Sequence, residues 1–330
     1  MQVLSAVFEF GLLPNQFFLE GNFVRFPSLE ILNGATVRKL LISFLLVAAS
    51  LSAQTGALTE YTTTWNNLTR TYWVYVPLKT PTNPALLFIL HPTVFNVTSP
   101  ALFQLKPFEK LSDEKGFIAV WPIATYNAHS KFWYWDAYFT NSSFPVPPDD
   151  SGFIGSLINS LSGQYAVNPN EVFVTGFSSG AIMAHRLGID FSSQIAAIAS
   201  AEGQVDVVPL KGTYTLPATT TPVSVLALNG DADPTVPYCG GDYPLWGMKW
   251  DIASLDQTTT YWRSANGCTD SVPQLCTNGQ PTPGVDGLDA VSCNGGVEVK
   301  AVREIGVTHQ WPAGTQNTVW EFFSTHPRKP

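Results

Sequence analysis

The sequence predicts an α/β fold with a mostly parallel central sheet and helices on both of its faces, and three observations carry that expectation. Residues 85–90, 117–121, 172–174, 195–200 and 223–228 are short apolar runs without polar alternation, the pattern of strands covered on both sides. Stretches with helical patterning lie between them, so the economical topology winds the sheet in parallel. Gly176-Phe177-Ser178-Ser179-Gly180 joins one such run to the helical stretch 181–187, which gives a strand, a sharp turn and a helix in succession.

Taken in order, residues 1–36 are apolar and aromatic with scattered charges and show no repeat or period that places them in a fold. Arg38-Lys39, the apolar run 40–49 and Ser50-Leu51-Ser52-Ala53 match the three regions of a secretory signal, with cleavage expected after Ala53. The run is too short to span a bilayer, and no cysteine precedes Cys239 to carry a lipid, so export without an anchor is expected. A signal belongs at an N-terminus. Val37, directly ahead of Arg38, is therefore expected to be a misread GUG initiator in a bacterial gene, and residues 1–36 upstream sequence translated in error; one domain is expected over residues 54–330.

Residues 61–65 and 71–76 read as a hairpin about Asn66-Asn67. The strand over 85–90 ends at His91-Pro92-Thr93, and a helix over 103–114 leads through Lys115-Gly116 into the strand over 117–121. Phe132-Trp133-Tyr134-Trp135 is expected in a loop, because its rings are dense and Asn, Ser and Pro crowd around it. Asp149-Asp150-Ser151 caps a helix over 153–161. Beyond the serine turn come strands over 195–200 and 223–228, a helix over 254–264, a strand over 297–305 and a closing helix over 318–326.

Composition narrows the function. Of 330 residues, 45% are hydrophobic and 13% charged, enough apolar material for a large core. A net charge of -8 and a pI near 5.0 give no basic stripe for a phosphate backbone, so nucleic acid is not an expected partner. HExxH, GxGxxG and GxxxxGK are all absent, so neither metal nor cofactor is expected. Cys239, Cys268, Cys276 and Cys293 lack CxxC spacing and suit disulfides in an exported chain, with three pairings open. The sequons at Asn67, Asn96 and Asn141 are incidental in a bacterial host.

The chemistry centres on Ser178. A turn this sharp strains the serine backbone and needs small neighbours, which Gly176 and Gly180 supply. The helix beginning just after Ser178 offers N–H groups and a positive dipole end to an oxyanion, and the Ser179 N–H is the natural first donor. In hydrolases built on this turn an acid and then a histidine come after the nucleophile on loops beyond later strands. Asp231 and Asp233 lie just past the strand over 223–228; Asp231 reads as a turn residue and Asp233 as the acid. His309 alone among five histidines lies on a post-strand loop after the acid, since His91 precedes Ser178, His129 sits by the aromatic run, His185 in the helix and His326 near the end. A competing reading is a silent carbohydrate-binding relative that stacks sugars on Trp133, Trp135, Trp246 and Trp250; the intact Ser178, Asp233 and His309 speak against it.

From about Tyr72 onward the chain resembles the secreted esterases that include polyhydroxybutyrate depolymerase-like proteins and feruloyl esterases. The resemblance rests on Asp149-Asp150, Val174-Thr175-Gly176-Phe177-Ser178, residues 230–237, Asn266-Gly267-Cys268 and His309-Gln310-Trp311-Pro312-Ala313-Gly314. It implies an α/β-hydrolase fold and a secreted serine esterase with Ser178 as nucleophile, His309 as base and then acid, and Asp233 orienting it. The family usually has His-Gly where this chain has His91-Pro92. Proline has no N–H, so Thr93 is expected to be the second oxyanion donor beside Ser179. The resemblance also implies a Cys268–Cys293 disulfide, leaving Cys239 with Cys276. His91, Trp133, Trp135 and Trp311 are expected to line a small-molecule or oligosaccharide-linked ester. Aromatic residues over 132–135 and 238–250 are expected to stack a hydroxycinnamoyl ring, which favours feruloyl esters over the alternatives, polyhydroxybutyrate oligomers and acetyl xylan.

Overall fold

The computed structural model describes residues 16–19, 22–25, 55–97, 106–137, 148–206, 221–245 and 248–329. The chain divides into two units, residues 1–54 and 55–330. In the first, Gln16–Leu19 and Asn22–Arg25 pair as an antiparallel hairpin. The secretory signal expected over residues 37–53 lies outside the described residues.

The second unit is built on a sheet that has nine strands among the described residues: β1 (Ala57–Trp65), β2 (Leu68–Val76), β3 (Leu86–Leu90), β4 (Ile118–Pro122), β5 (Val172–Phe177), β6 (Ala197–Ala201), β7 (Ser224–Gly230), β8 (Gly287–Ala290) and β9 (Val299–Glu304). Across the sheet the order is β1-β2-β4-β3-β5-β6-β7-β9-β8. The run from β4 through β9 is parallel, while β1, β2 and β8 join antiparallel at the edges. The α-helices among the described residues are α1 (Pro107–Lys115), α2 (Asp150–Gln164), α3 (Ser179–Asp190), α4 (Leu255–Ala265) and α5 (Thr315–Thr325).

Period-two geometry explains the apolar runs. In β3, Leu86, Phe88 and Leu90 point into one core with Phe153, Leu157 and Leu161 of α2 and Met183 and Leu187 of α3. Leu87 and Ile89 point into the other, with Phe108 of α1 and Val319, Phe322 and Phe323 of α5. Both faces are covered, so no position in such a strand tolerates water, and each side chain contributes roughly 1.5–3 kcal/mol by burial.

Local chemistry sets the element ends. Asn66 and Asn67 take φ of 47° and 61°, the left-handed pair of a two-residue hairpin turn. Pro107 opens α1, and the expected first residues of that helix, 103–105, lie outside the described residues. Asp149 caps α2, accepting from the Gly152 N–H at 2.8 Å while its other oxygen takes Trp65 Nε1 at 3.1 Å. Asp150, fully buried, pairs with Arg70 at 2.5 Å, and the Arg70 guanidinium lies over the Phe153 ring. Ser254 and Gln257 form a capping box on α4.

The structure corrects one expectation and adds an edge strand. Phe132–Tyr134 is a strand, not loop, paired antiparallel with Thr125–Asn127. Asn127 makes this possible: its Oδ1 accepts from the N–H groups of His129 and Ser130 and folds the turn, and its Nδ2 donates to Tyr134. Edge strand β8 was not anticipated, because Gly287-Leu288-Asp289-Ala290 has no β-branched residue. No helix among the described residues is long and apolar enough to cross a membrane. Cys239 is bonded to Cys276 and Cys268 to Cys293, the pairing the resemblance implied.

The Cys268–Cys293 bond closes a loop of 25 residues. Replacing both cysteines by serine is expected to lower the unfolding free energy by about 3–4 kcal/mol, through the chain entropy returned to the unfolded state. Denaturant titration measures this, and a loss under about 1 kcal/mol would show that the cross-link constrains little.

Candidate active site

Ser178 sits between β5 and α3 with φ 55° and ψ -122°. The glycines around it are forced by close approach. A Cβ on Gly176 would lie 2.2 Å from the Gly180 carbonyl oxygen, and one on Gly180 would lie 2.3 Å from that of Leu90. The Ser178 N–H donates to the Ala201 carbonyl at 3.0 Å, tying the turn to the end of β6.

Two loops meet the serine from the ends of β7 and β9. Their strands are parallel neighbours, and four contacts join the strand ends and the loops that leave them: Asp231 N–H to Glu304 O at 3.2 Å, Ala232 N–H to Val307 O at 3.1 Å, Gly306 N–H to Asp231 Oδ1 at 2.7 Å, and Arg303 to Asp231 at 2.8 Å. Asp231 is thus more than the turn residue expected; its carboxylate bridges both loops. His309 Nε2 lies 2.9 Å from Ser178 Oγ, and its Nδ1 lies 2.7 Å from Asp233 Oδ2. The other Asp233 oxygen accepts from the N–H groups of Thr235 at 2.6 Å and Val236 at 2.9 Å. Burial pushes the Asp233 carboxyl up, but the bond and charge of His309, together with those two N–H groups, outweigh it and hold the carboxyl below its ordinary value.

Glu202 was missed by sequence reasoning. It comes directly after β6 with φ 51°, is fully buried, and offers both carboxyl oxygens to the Gly230 N–H at 3.0 and 2.9 Å. Burial pushes its carboxyl up to about 9; the Gly230 N–H opposes this, while the hydrogen bond and charge of Asp233 and the charge of Glu304 add to it. At neutral pH Glu202 is therefore an acid that donates to Asp233. The available signal was its place, a lone carboxyl directly after the buried run Ala197–Ala201.

Thr93 Oγ1 donates to Ser179 Oγ at 3.1 Å, which sets the Thr93 backbone beside the first residue of α3. The four residues expected against a substrate are placed differently. His91 is buried, with Nδ1 donating to the Pro92 carbonyl at 2.6 Å and Nε2 accepting from the Ala124 N–H at 3.0 Å. Burial brings its pKa down to about 4, so it is a neutral brace for the loop. Trp135 is fully buried and donates through Nε1 to the His91 carbonyl at 2.8 Å. Trp311 is buried edge-on against Phe108 and Phe177. These three are interior residues, a consequence of strand alternation after Phe132 and of packing under α1. Trp133 alone remains half-buried, its N–H and carbonyl exchanging bonds with Val94 at 2.8 and 3.0 Å. Trp246 and the side chain of Trp250 lie outside the described residues. No group of His, Cys, Asp and Glu among the described residues is arranged to hold a metal ion.

No family model matches the chain. It is 29% identical over 182 residues to the NocK protein of Nocardia uniformis subsp. tsuyamanensis, whose name proposes an esterase, covering 52% of this chain and 51% of that protein. It is 26% identical over 152 residues to acetylxylan esterase A of Aspergillus ficuum, covering 46% and 48%. The chain thus spans about half the length of these curated relatives. Among solved structures, the acetyl xylan esterase from Aspergillus awamori superposes with a TM-score of 0.56 at 18% identity, over 82% of this chain and 99% of that one. The native structure of pOPH gives 0.54 at 13%, over 85% and 90%. These likenesses show the fold, that of the α/β-hydrolases.

Glu202 makes stability depend on pH. The folded chain keeps a proton there that the unfolded chain releases near pH 4.5, so this group makes stability fall as pH rises from about 4.5 to about 9, above which both states are ionised. Glutamine retains a donor and cannot ionise. Glu202→Gln is expected to flatten the decline of Tm across that window, and an unaltered slope would show Glu202 ionised in the folded protein.

Proposed function

We propose that this chain is a serine carboxylic-ester hydrolase, secreted, acting on carbohydrate-borne acyl esters with acetyl as the acyl group. The observation that carries the reading is the hydrogen-bonded series from Ser178 Oγ through His309 to Asp233, mounted on the strained turn at the head of α3. Ser178 Oγ attacks the ester carbonyl as His309 Nε2 takes its proton, and Asp233 holds Nδ1–H and balances the imidazolium. The tetrahedral oxyanion is met by the N–H groups of Ser179 and Thr93, the first reinforced by the positive end of α3. Collapse expels the alcohol, which leaves with the proton from His309. Water then attacks the acyl-Ser178 ester with His309 again as base, releasing the acid and restoring Ser178. Asp233 carries the negative charge in this scheme because Glu202 is protonated behind it.

The acyl group is argued from what the interior takes away. Stacking a hydroxycinnamoyl ring relied on the aromatic residues over 132–135 and 238–250, and of these Trp135 and Tyr238 are buried. An acetyl group needs no such platform, and two proteins similar to this chain bear the name acetyl xylan esterase. Two disulfides support an oxidising compartment, consistent with the signal expected over residues 37–53.

With 4-nitrophenyl acetate, Ser178→Ala is expected to lose several orders of magnitude in kcat and Asp233→Asn about 10⁴-fold, whereas Asp231→Asn keeps most turnover and loses stability. Retention of more than about a tenth of activity by Ser178→Ala would remove it as nucleophile. For the acyl group, kcat/KM on acetylated xylo-oligosaccharides is expected to exceed that on methyl ferulate and on a hydroxybutyrate oligomer by at least about tenfold, roughly 1.4 kcal/mol of transition-state binding. A preference for either competitor would return the reading to that ester.

A further inference from the structure

A cleft of about 300 Å³ opens at the β1–β2 edge of the sheet, outside the cluster of Ser178, His309 and Asp233. Its walls are made by strand alternation. Thr69, Thr71 and Trp73 stand on one face of β2, and Glu60 of β1 is the cross-strand partner of Trp73. Opposite them, Tyr126 and Trp133 are paired in the small hairpin, their rings 5.2 Å apart and inclined by 48°. Tyr126 is 40% exposed and Trp133 half-buried, so ring surface remains for a ligand.

The lining selects a chemical class. Glu60 gives the cleft a negative side chain, and Arg70, the one cation among the described residues of its wall, has its guanidinium buried against Asp150, the Ile123 carbonyl and the Phe153 ring. An anionic ligand would meet Glu60 without a counter-charge. A fatty chain would bury the Thr69 and Thr71 hydroxyls and the Glu60 carboxylate without partners, which is unfavourable for each of them. A neutral sugar ring matches: its C–H face lies on tryptophan and tyrosine, its hydroxyls donate to a carboxylate, and they exchange bonds with threonines. The volume lies at the small end of ligand sites, which suits a short stretch of sugar.

The cleft is mechanically joined to the serine. Trp133 exchanges two backbone hydrogen bonds with Val94, the neighbour of Thr93, whose hydroxyl reaches Ser179. Ala124, also in the cleft wall, donates to the His91 ring that braces the same loop. We infer that this cleft is a neutral-saccharide subsite, holding a sugar unit of the chain whose ester is presented to Ser178. As a statement about substrate it rests on the hydrolase reading above; as a statement about binding it stands on its own lining.

The experiment separates the two. Xylotriose, which has no ester, is titrated into full-length Ser178→Ala protein by calorimetry. Saturable binding is expected, weakened about three- to tenfold by Trp133→Ala and by Glu60→Gln in the same background, the second being an exposed position that leaves folding intact. In the active protein, the ratio of kcat/KM on acetylated xylo-oligosaccharide to that on 4-nitrophenyl acetate is expected to fall by a similar factor in Trp133→Ala. No saturation, or equal affinity in all variants, overturns the subsite even if esters are hydrolysed. Preferential binding of tetramethylammonium, which an aromatic cleft with a carboxylate also fits, likewise overturns it. Saccharide binding by a protein that hydrolyses no ester would uphold the cleft and remove the hydrolase reading instead.

Discussion

A serine held at φ 55° between a buried strand and a helix is the constraint on which the rest of this structure depends. Such a backbone costs on the order of 1–3 kcal/mol and persists only where its surroundings leave no alternative. Here the two glycines let the turn press against itself and against the end of β3, and the Ala201 carbonyl fixes the Ser178 N–H from β6. Those two strands are the immediate neighbours of β5 in the sheet. The strand order therefore decides which loops surround the serine: residues 91–97 from β3, Glu202 from β6, the Asp233 loop from β7 and the His309 loop from β9.

Charge is arranged as tightly as backbone. Glu202 and Asp233 are two buried carboxyls in hydrogen-bonding contact, and like charges so placed do not both ionise. Asp233 has His309 and two backbone N–H groups to favour its anion; Glu202 has one N–H and deep burial. The negative charge accordingly settles on the residue that faces His309. Asp231, a third carboxylate in the same stretch, is kept apart by Arg303 and serves to hold the two loops together.

Much of this was legible in the sequence, and the reasons for what was not are specific. Strands β3 through β7 announce themselves because burial on both faces demands unbroken apolar runs, and the turn at Ser178 because its glycines admit no substitute. The helix cap at Asp149 was readable from a side chain that bonds locally. Residues 132–135 misled because ring density says nothing of direction: alternation sends Trp133 toward the cleft and Trp135 into the core. His91 was unreadable for a related reason, since its partners are backbone groups of Pro92 and Ala124 that carry no sequence signal. Glu202 shows the same limit, because its protonation depends on Asp233, far away in the chain and adjacent only once β6 and β7 pair.

The central claim, that the geometry at Ser178 makes it a nucleophile, is tested most directly by covalent labelling. Full-length protein is treated with a fluorophosphonate and the modified peptide located by mass spectrometry. Activation by His309 predicts stoichiometric phosphonylation of Ser178, faster by orders of magnitude than in His309→Ala. Labelling of another residue, or labelling of Ser178 at the same rate in both proteins, would contradict it.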